Sequence, residues 1–122
     1  MSGITFHDPN TISSPENFLL FNKSIDLNND GYQASNRGDH KLALEKYKAA
    51  LAIKEKLYGP VSLHLCISLS GLADAYLSLN DLANSKREAN RMLFIAESIQ
   101  NSEQIRIAKE ILRDVEKAEK KK

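Results

Sequence analysis

Residues 38–55 decide the fold of this chain, and they read GDHKLALEKYKAALAIKE. A related stretch follows 42 residues later, at residues 80–97, which read NDLANSKREANRMLFIAE. Self-similarity at a fixed period of about 20–50 residues is typical of helical repeat arrays, in which each unit buries its apolar face against its neighbours. The period therefore predicts a stack of helices. The positions that match across it are Asp39, Leu51, Ile53 and Glu55 with Asp81, Leu93, Ile95 and Glu97, and further upstream Ile25 and Leu27 with Ile67 and Leu69.

Capping residues and apolar spacing predict five helices and no β-strand. Ser14-Pro15 is typical of a helix start, because serine caps the first turn and proline is tolerated at the first helical position. Gly38 and Gly59-Pro60 indicate helix ends, since glycine adopts the left-handed conformation there and proline cannot continue the hydrogen-bond ladder. Asn101 with Gln104 resembles a capping box. The predicted helices span residues 15–37, 40–58, 61–79, 82–99 and 102–120.

The same patterns divide the chain into a lead and one helical domain. Residues 1–14 are polar and rich in turn formers, so we predict a flexible N-terminal lead. The helical domain is predicted over residues 15–120. Within it the first repeat covers residues 15–59, the second covers residues 60–100, and a capping helix covers residues 102–120.

Composition excludes several classes of protein. The formal net charge of +1 indicates no general attraction to nucleic acid. Cys66 is the only cysteine, so an internal disulfide framework is impossible. The N-terminal residues lack the basic start and apolar run of a signal peptide, and no stretch approaches the roughly 18 apolar residues of a membrane span. We expect a cytoplasmic protein, and the sequence does not exclude the nucleus.

Residues able to carry catalysis or bind cofactors show no recognisable spacing. The three histidines, His7, His40 and His64, lie in separate segments and share no metal-ligand motif. Cys66 has no basic neighbour in sequence, so we expect a small core residue rather than a reactive thiol. The sequence also lacks a glycine-rich phosphate-binding loop. It therefore predicts no catalytic residue, no metal site and no cofactor, and hence a protein that is not an enzyme.

A set of large and small residues recurs at fixed places along the helices. These are Leu27, Gly31, Gly38, Ala43, Tyr47, Ala50 and Leu51, followed by Ile53, Glu55 and Gly59-Pro60, in the first copy; Leu69, Leu72-Ala73, Tyr76 and Leu93 in the second; and Ile111, Val115 and Ala118 in the last helix. The pattern resembles the tetratricopeptide repeat, and its 42-residue period is similar to that of the kinesin light chain type. The resemblance implies an all-α fold in which antiparallel pairs of A and B helices stack as a short right-handed α-solenoid, with two repeats and a C-terminal solvating helix.

Two features of the pattern concern packing. Gly31 lies inside a predicted helix, where glycine costs about 1 kcal/mol relative to alanine. We therefore expect a neighbouring helix to fill the space of the missing side chain. The second copy departs from the family pattern at Ala89 and Met92, where a large residue and a small one are usual. These two residues invert the sizes of Tyr47 and Ala50 in the first copy, as though volume were kept within the repeat.

The resemblance also implies a binding surface, because in this family the inner face of each A helix lines a groove for a peptide or helix. Counted from Leu27, the inner positions are Ile25, Asn28, Tyr32 and Ser35 in the first repeat, Ile67, Ser70, Asp74 and Leu77 in the second, and Lys109, Leu112, Glu116 and Glu119 in the last helix. The candidate partner-binding residues are Asn28, Tyr32, Ser35, Ser70, Asp74, Leu77 and Leu112. Tyr32 is the candidate aromatic anchor, since such residues can dominate a small interface.

One class of ligand is disfavoured by these positions. Family members that bind chaperones hold a C-terminal carboxylate with lysine and asparagine at defined inner positions. Those positions are occupied here by Asn28, Tyr32 and Asp74, and the Asp74 carboxylate would repel the tail. The sequence therefore predicts that this protein does not bind a chaperone C-terminal tail.

The function predicted from the resemblance is a non-catalytic protein interaction module, an adaptor or scaffold that binds a protein or peptide partner. Two alternatives stay open. An array of two and a half repeats could complete its core by forming a homodimer, through Phe18 and Phe21 or through Ile105. Residues 38–47 taken alone would also suit a three-helix microtubule-interacting-and-trafficking domain.

Overall fold

The computed structural model describes residues 14–121, which form five α-helices, one short 3-10 turn and no β-strand. The predicted lead, residues 1–14, lies outside the described residues except for Ser14, whose side chain accepts a hydrogen bond from the Asn17 backbone N–H and caps the first helix. The all-α fold is thus confirmed. The helices are α1 (Pro15–Asn36), α2 (His40–Tyr58), α3 (Cys66–Ser78), α4 (Leu82–Ser98) and α5 (Ser102–Lys120), and the 3-10 turn is Leu63–Leu65.

The third helix begins later than predicted. Val61 and Ser62 were expected to be helical, but Ser62 is extended, with φ −148° and ψ 143°. Its hydroxyl accepts a hydrogen bond from the His64 backbone N–H at 3.2 Å. Serine thereby caps the 3-10 turn that precedes α3, because a short side-chain acceptor competes well for the first free N–H groups of such a turn. The connection from α2 to α3 is consequently longer than the predicted break at Gly59-Pro60.

Three of the four connections between helices share one three-residue geometry. Their middle residues, Gly38, Asn80 and Gln100, all adopt the left-handed conformation, with φ 83°, 62° and 56°. In each turn the following residue donates its N–H five positions back along the chain, as in Asp39 N–H to Ala34 O at 2.8 Å. The side chains that then cap the next helix are Asp39, Asp81 and Asn101. The match between Gly38-Asp39 and Asn80-Asp81 is therefore the repetition of a turn.

The helices stack in two layers. Consecutive helices pack side by side, and α3 also contacts both α1 and α5. In the other layer, the guanidinium of Arg91 on α4 pairs with Glu55 on α2. Helices α1, α3 and α5 thus form one layer, α2 and α4 the other, and the whole is a short α-solenoid of antiparallel pairs. The three-helix alternative required two helices fewer than the described residues contain.

The α2 side chain Tyr47 fills the first junction of the stack. A Cβ added at Gly31 of α1 would lie 3.1 Å from the Tyr47 ring, and one added at Gly71 of α3 would lie 2.5 Å from it. Both distances are shorter than ordinary van der Waals contact between carbon atoms. The expectation that a neighbouring helix uses the space at Gly31 is confirmed. Gly71, which the sequence pattern did not single out, makes the closer approach.

The second junction is filled differently. Ala73 of α3, Ala89 of α4 and Val115 of α5 form a buried cluster. Met92, one turn further along α4, is fully buried in the other cluster, which also contains Tyr47. The hydroxyl of Ser85 donates a 2.7 Å hydrogen bond to the Ala73 carbonyl, so this buried polar group is satisfied. Ala89 and Met92 are therefore both core residues, as the inverted sizes predicted.

Candidate functional site

The residues predicted to line the groove lie mainly on α1 and α3, in the layer that these two helices form with α5. We call their surface the α1–α3 face and define it by residues that are exposed or half-buried: Ile25, Tyr32 and Ser35 of α1, and Ile67, Ser70, Asp74 and Leu77 of α3. Tyr32 follows Gly31 directly, and Asp74 follows Gly71 by one helical turn. The two close contacts with Tyr47 therefore hold α1 and α3 at a short, defined separation beneath this face.

Tyr32 and Asp74 each lie close enough to Tyr47 to influence its pKa. Burial raises the pKa of Tyr47, and the Asp74 charge and the Tyr32 side chain raise it further. Tyr32 itself is 64% exposed. An exposed phenol and an exposed carboxylate on two helices that are held together by the buried Tyr47 ring are the most distinctive chemical feature of the face.

A second carboxylate approaches Asp74 from α5. Asp74 is exposed, yet the surrounding protein removes part of its hydration, and this desolvation together with the charge of Asp114 raises the pKa of its carboxyl. Within residues 14–121 neither carboxylate forms an ion pair. A positive charge placed between them would favour the ionised form of both. The face can therefore attract a cation and repel an anion.

The remaining predicted residues of the face contribute smaller features. The Ser70 hydroxyl donates to the Ile67 carbonyl at 3.0 Å, which leaves its oxygen able to accept a hydrogen bond. Ser35 and Leu77 are half-buried. Leu77 packs against the second buried cluster. These three residues border Tyr32 and Asp74 without adding another charge.

Asn28 does not lie on the accessible surface, contrary to its prediction as a partner-binding residue. It is only 8% exposed, and its side-chain oxygen accepts a 3.0 Å hydrogen bond from the Ser68 hydroxyl. Because α1 and α3 approach closely here, the amide is enclosed between them. Its role is to hold the two helices together, since a buried polar pair of this kind is costly to separate.

Leu112 is also displaced from the predicted surface. It borders a hollow of about 320 Å³ between α4 and α5, together with Lys86 and Asn90 of α4. The α5 residue that faces Asp74 is instead Asp114. Residues two apart on a helix point about 200° away from each other, so Leu112 and Asp114 cannot share the α1–α3 face. The repeat pattern predicted the position of α5 along the chain, but it did not predict which α5 residues lie close to α3. Nothing in the pattern distinguished Asp114.

The described part of the chain shows neither a metal centre nor a membrane span. No group of three histidine, cysteine, aspartate or glutamate residues is placed to hold a metal ion among residues 14–121. In the same range no helix combines the length and the apolar character needed to cross a bilayer. Comparisons with protein-family models, with curated proteins and with solved structures found no match to this chain.

Proposed function

We propose that this protein is a non-catalytic interaction module of the tetratricopeptide type, which binds a peptide or helix of a partner protein across the α1–α3 face. The observation that supports this most is an exposed aromatic ring, Tyr32, on the same face as the Asp74 carboxylate, which feels the charge of Asp114 and has no ion-pair partner among residues 14–121. The cytoplasm is the proposed compartment, with the nucleus as the alternative.

The chemistry of the face suggests the character of the partner segment. A lysine or arginine would fit between Asp74 and Asp114, because it would relieve the repulsion between them. An apolar or aromatic side chain would pack on Tyr32, whose ring can bury a large area with little loss of conformational freedom. An anionic C-terminal tail would meet two negative charges. The proposal therefore excludes the chaperone-tail mode of binding.

The test compares partner sets captured by three versions of the chain. The wild type, the double variant Tyr32→Ala/Asp74→Lys and the control Phe94→Ala/Glu97→Lys are used as baits, and captured proteins are quantified by mass spectrometry. The control makes the same kind of change on α4, where Phe94 is 61% exposed and Glu97 is also exposed. We expect one group of proteins to be depleted by the first variant and retained by the control.

The strongest captured protein is then purified and its affinity measured by calorimetry. Loss of an aromatic anchor together with a charge reversal should weaken binding by at least about 30-fold, the effect of an interface hot spot. The control variant should bind as tightly as the wild type. Identical partner sets for all three baits, or equal affinities, would refute binding at this face.

A second candidate, self-association, is favoured by the apolar surface of α1. Phe18 is 54% exposed and Leu19 is 68% exposed, side by side on the outer helix of the stack. Phe21 and Ile105, also predicted for a dimer interface, are half-buried and offer less surface. Sedimentation of the wild type and of Phe18→Ser/Leu19→Ser over a range of concentrations tests this candidate. A monomeric wild type at the highest concentration would remove it.

A further inference from the structure

A cavity of about 400 Å³ opens where α2, the 3-10 turn, α3 and the start of α5 meet. Its volume falls within the range of small-molecule sites, which is about 300–1,000 Å³. Leu63 and Ile67 form apolar parts of its wall, and Gln104 and His64 add polar atoms. Apolar walls with a few converging polar groups are what a small-ligand site requires.

Lys54 of α2 is the unusual residue of this cavity. It lines the space and is only 7% exposed. Its ammonium group forms no ion pair among residues 14–121. Burial lowers its pKa. Lysine is rarely buried unless it is paired, because an uncompensated charge is costly to remove from water.

The neighbours of Lys54 do not neutralise it. Glu103 is the one carboxylate that lines the cavity, and it is bound to Arg106, with an Nη2–Oε2 distance of 2.6 Å. His64 lies against Tyr58, with 4.0 Å between ring centroids. The pKa of His64 is lowered by burial and also by the nearby Lys54 charge, which favours the neutral imidazole. Arg106 also pairs with Glu110, so the formal charges around the cavity balance, and Lys54 is its buried positive group, unpaired among the described residues.

From this arrangement we propose that the cavity binds a small organic carboxylate with an apolar portion. The carboxylate would pair with the Lys54 ammonium, which supplies one positive charge for one negative charge. The apolar portion would lie against Leu63 and Ile67. Gln104 and the neutral imidazole of His64 are further hydrogen-bonding groups in reach of the cavity. A phosphate dianion fits less well, because a single ammonium leaves part of its charge uncompensated. This site shares Ile67 with the edge of the α1–α3 face, but its test does not involve Tyr32 or Asp74.

The experiment titrates the ¹⁵N-labelled full chain with hexanoate and follows backbone amide shifts by NMR at pH 7. Hexylamine, with a tail of the same length and the opposite charge, and inorganic phosphate are titrated in parallel. We expect saturable shifts around Ile67 and Gln104 with hexanoate alone. The variant Lys54→Met, which keeps the length of the side chain and removes its charge, should weaken hexanoate binding about tenfold or more.

The matched control is Lys56→Met, which removes an exposed lysine two residues further along the same helix. It should bind hexanoate as the wild type does. If Lys54→Met does not fold, Lys54→Gln replaces it. The proposal is overturned if hexanoate gives no saturable shift at the cavity, if hexylamine or phosphate binds as tightly, or if removal of the Lys54 charge leaves the affinity unchanged. None of these outcomes bears on capture of partners by the α1–α3 face.

Discussion

The two junctions of the stack solve the same packing problem with different residues. In the first, the Tyr47 ring fills a gap that Gly31 and Gly71 leave open. In the second, the positions equivalent to Tyr47 and Gly31 are both alanine, Ala89 and Ala73, and both are fully buried. Met92, one turn along α4, packs in the same cluster as Tyr47, and the second cluster is filled by α5 residues such as Ile111 and Val115. The period thus preserves the spacing of the helices, while the residues that fill each junction differ.

The two junctions should also differ in how strongly an amino-acid substitution lowers the free energy of unfolding. A ring wedged between two backbones has few alternative positions, whereas the alanine and aliphatic side chains of the second cluster can adjust their contacts. We therefore expect substitutions in the first junction to cost more free energy of unfolding than substitutions in the second. The expected changes in the free energy of unfolding decrease from the first junction to the exposed face.

The substitution Tyr47→Ala should lower the free energy of unfolding by about 3–5 kcal/mol, because it leaves a cavity between two glycines that no neighbour can fill. Urea denaturation followed by circular dichroism measures this loss. Tyr32→Ala serves as the control, since an exposed tyrosine should change stability by no more than about 0.5 kcal/mol. A loss below 1 kcal/mol for Tyr47→Ala would contradict the role of Tyr47 in the first junction.

Gly71→Ala should destabilise the protein by about 1–3 kcal/mol, because the added methyl group would lie 2.5 Å from the Tyr47 ring. Gly31→Ala should cost less. Its contact would be 3.1 Å, and alanine gains about 1 kcal/mol over glycine within a helix. Paired melting curves of the two variants reveal the order. If Gly31→Ala were the more harmful change, Tyr47 would pack mainly against α1 instead of α3.

In the second junction, Ser85→Ala should cost about 1 kcal/mol through loss of the buried hydrogen bond to the Ala73 carbonyl. The matched control is Ser70→Ala, which removes a half-buried hydroxyl that bonds within its own helix. Its effect should stay within about 0.5 kcal/mol. Denaturation midpoints at constant slope distinguish the two. Equal effects would mean that the Ser85 bond does not stabilise the second junction.

Asp74→Asn tests the repulsion between Asp74 of α3 and Asp114 of α5. The substitution should stabilise the fold by about 0.5 kcal/mol at pH 7, and the effect is small because the Asp74 side chain is exposed. The pKa of Asp74 is raised in the folded state by desolvation and by Asp114. Stability therefore falls as pH rises from the ordinary value of 3.8 towards the folded pKa, and the gain from the variant should vanish below that range. Exposed Asp26→Asn is the control. A gain that persisted at pH 3 would contradict an electrostatic origin.

The parts of the fold that follow from local chemistry could be predicted from the sequence. Helices α2 and α5 begin and end at the predicted residues, because Asp39, Gly59 and Asn101 cap them by short-range hydrogen bonds or backbone conformation. The predicted start of α3 was wrong, because the Ser62 hydroxyl caps a 3-10 turn that apolar spacing does not predict. A cap that depends on one side chain and its sequence neighbours can be predicted from the sequence. Whether a helix or a 3-10 turn forms at such a cap cannot.

The surface was harder to predict because it depends on distances between helices. Counting by repeats located Tyr32 and Asp74, but burial of Asn28 follows from how near α1 comes to α3. Gly71 carries no mark in the repeat pattern, although its contact with Tyr47 sets that distance. Asp114, in turn, acts on Asp74 only because of how α5 is placed. In the sequence Lys54 is one of several lysines along α2. Its burial depends on the 3-10 turn, α3 and α5, which enclose it.

The three identical turns have a consequence for the path by which the chain folds. Each brings adjacent helices together after only three connecting residues, so most contacts between helices join elements that are consecutive along the chain. Loop closure then costs little entropy, and such low contact order is associated with folding in microseconds to milliseconds. The longer connection from α2 to α3 is the exception. Pairing of α1 with α2, which places Tyr47 against Gly31, and pairing of α3 with α4 and α5 can therefore precede the step in which Tyr47 meets Gly71, and that step would join the two halves.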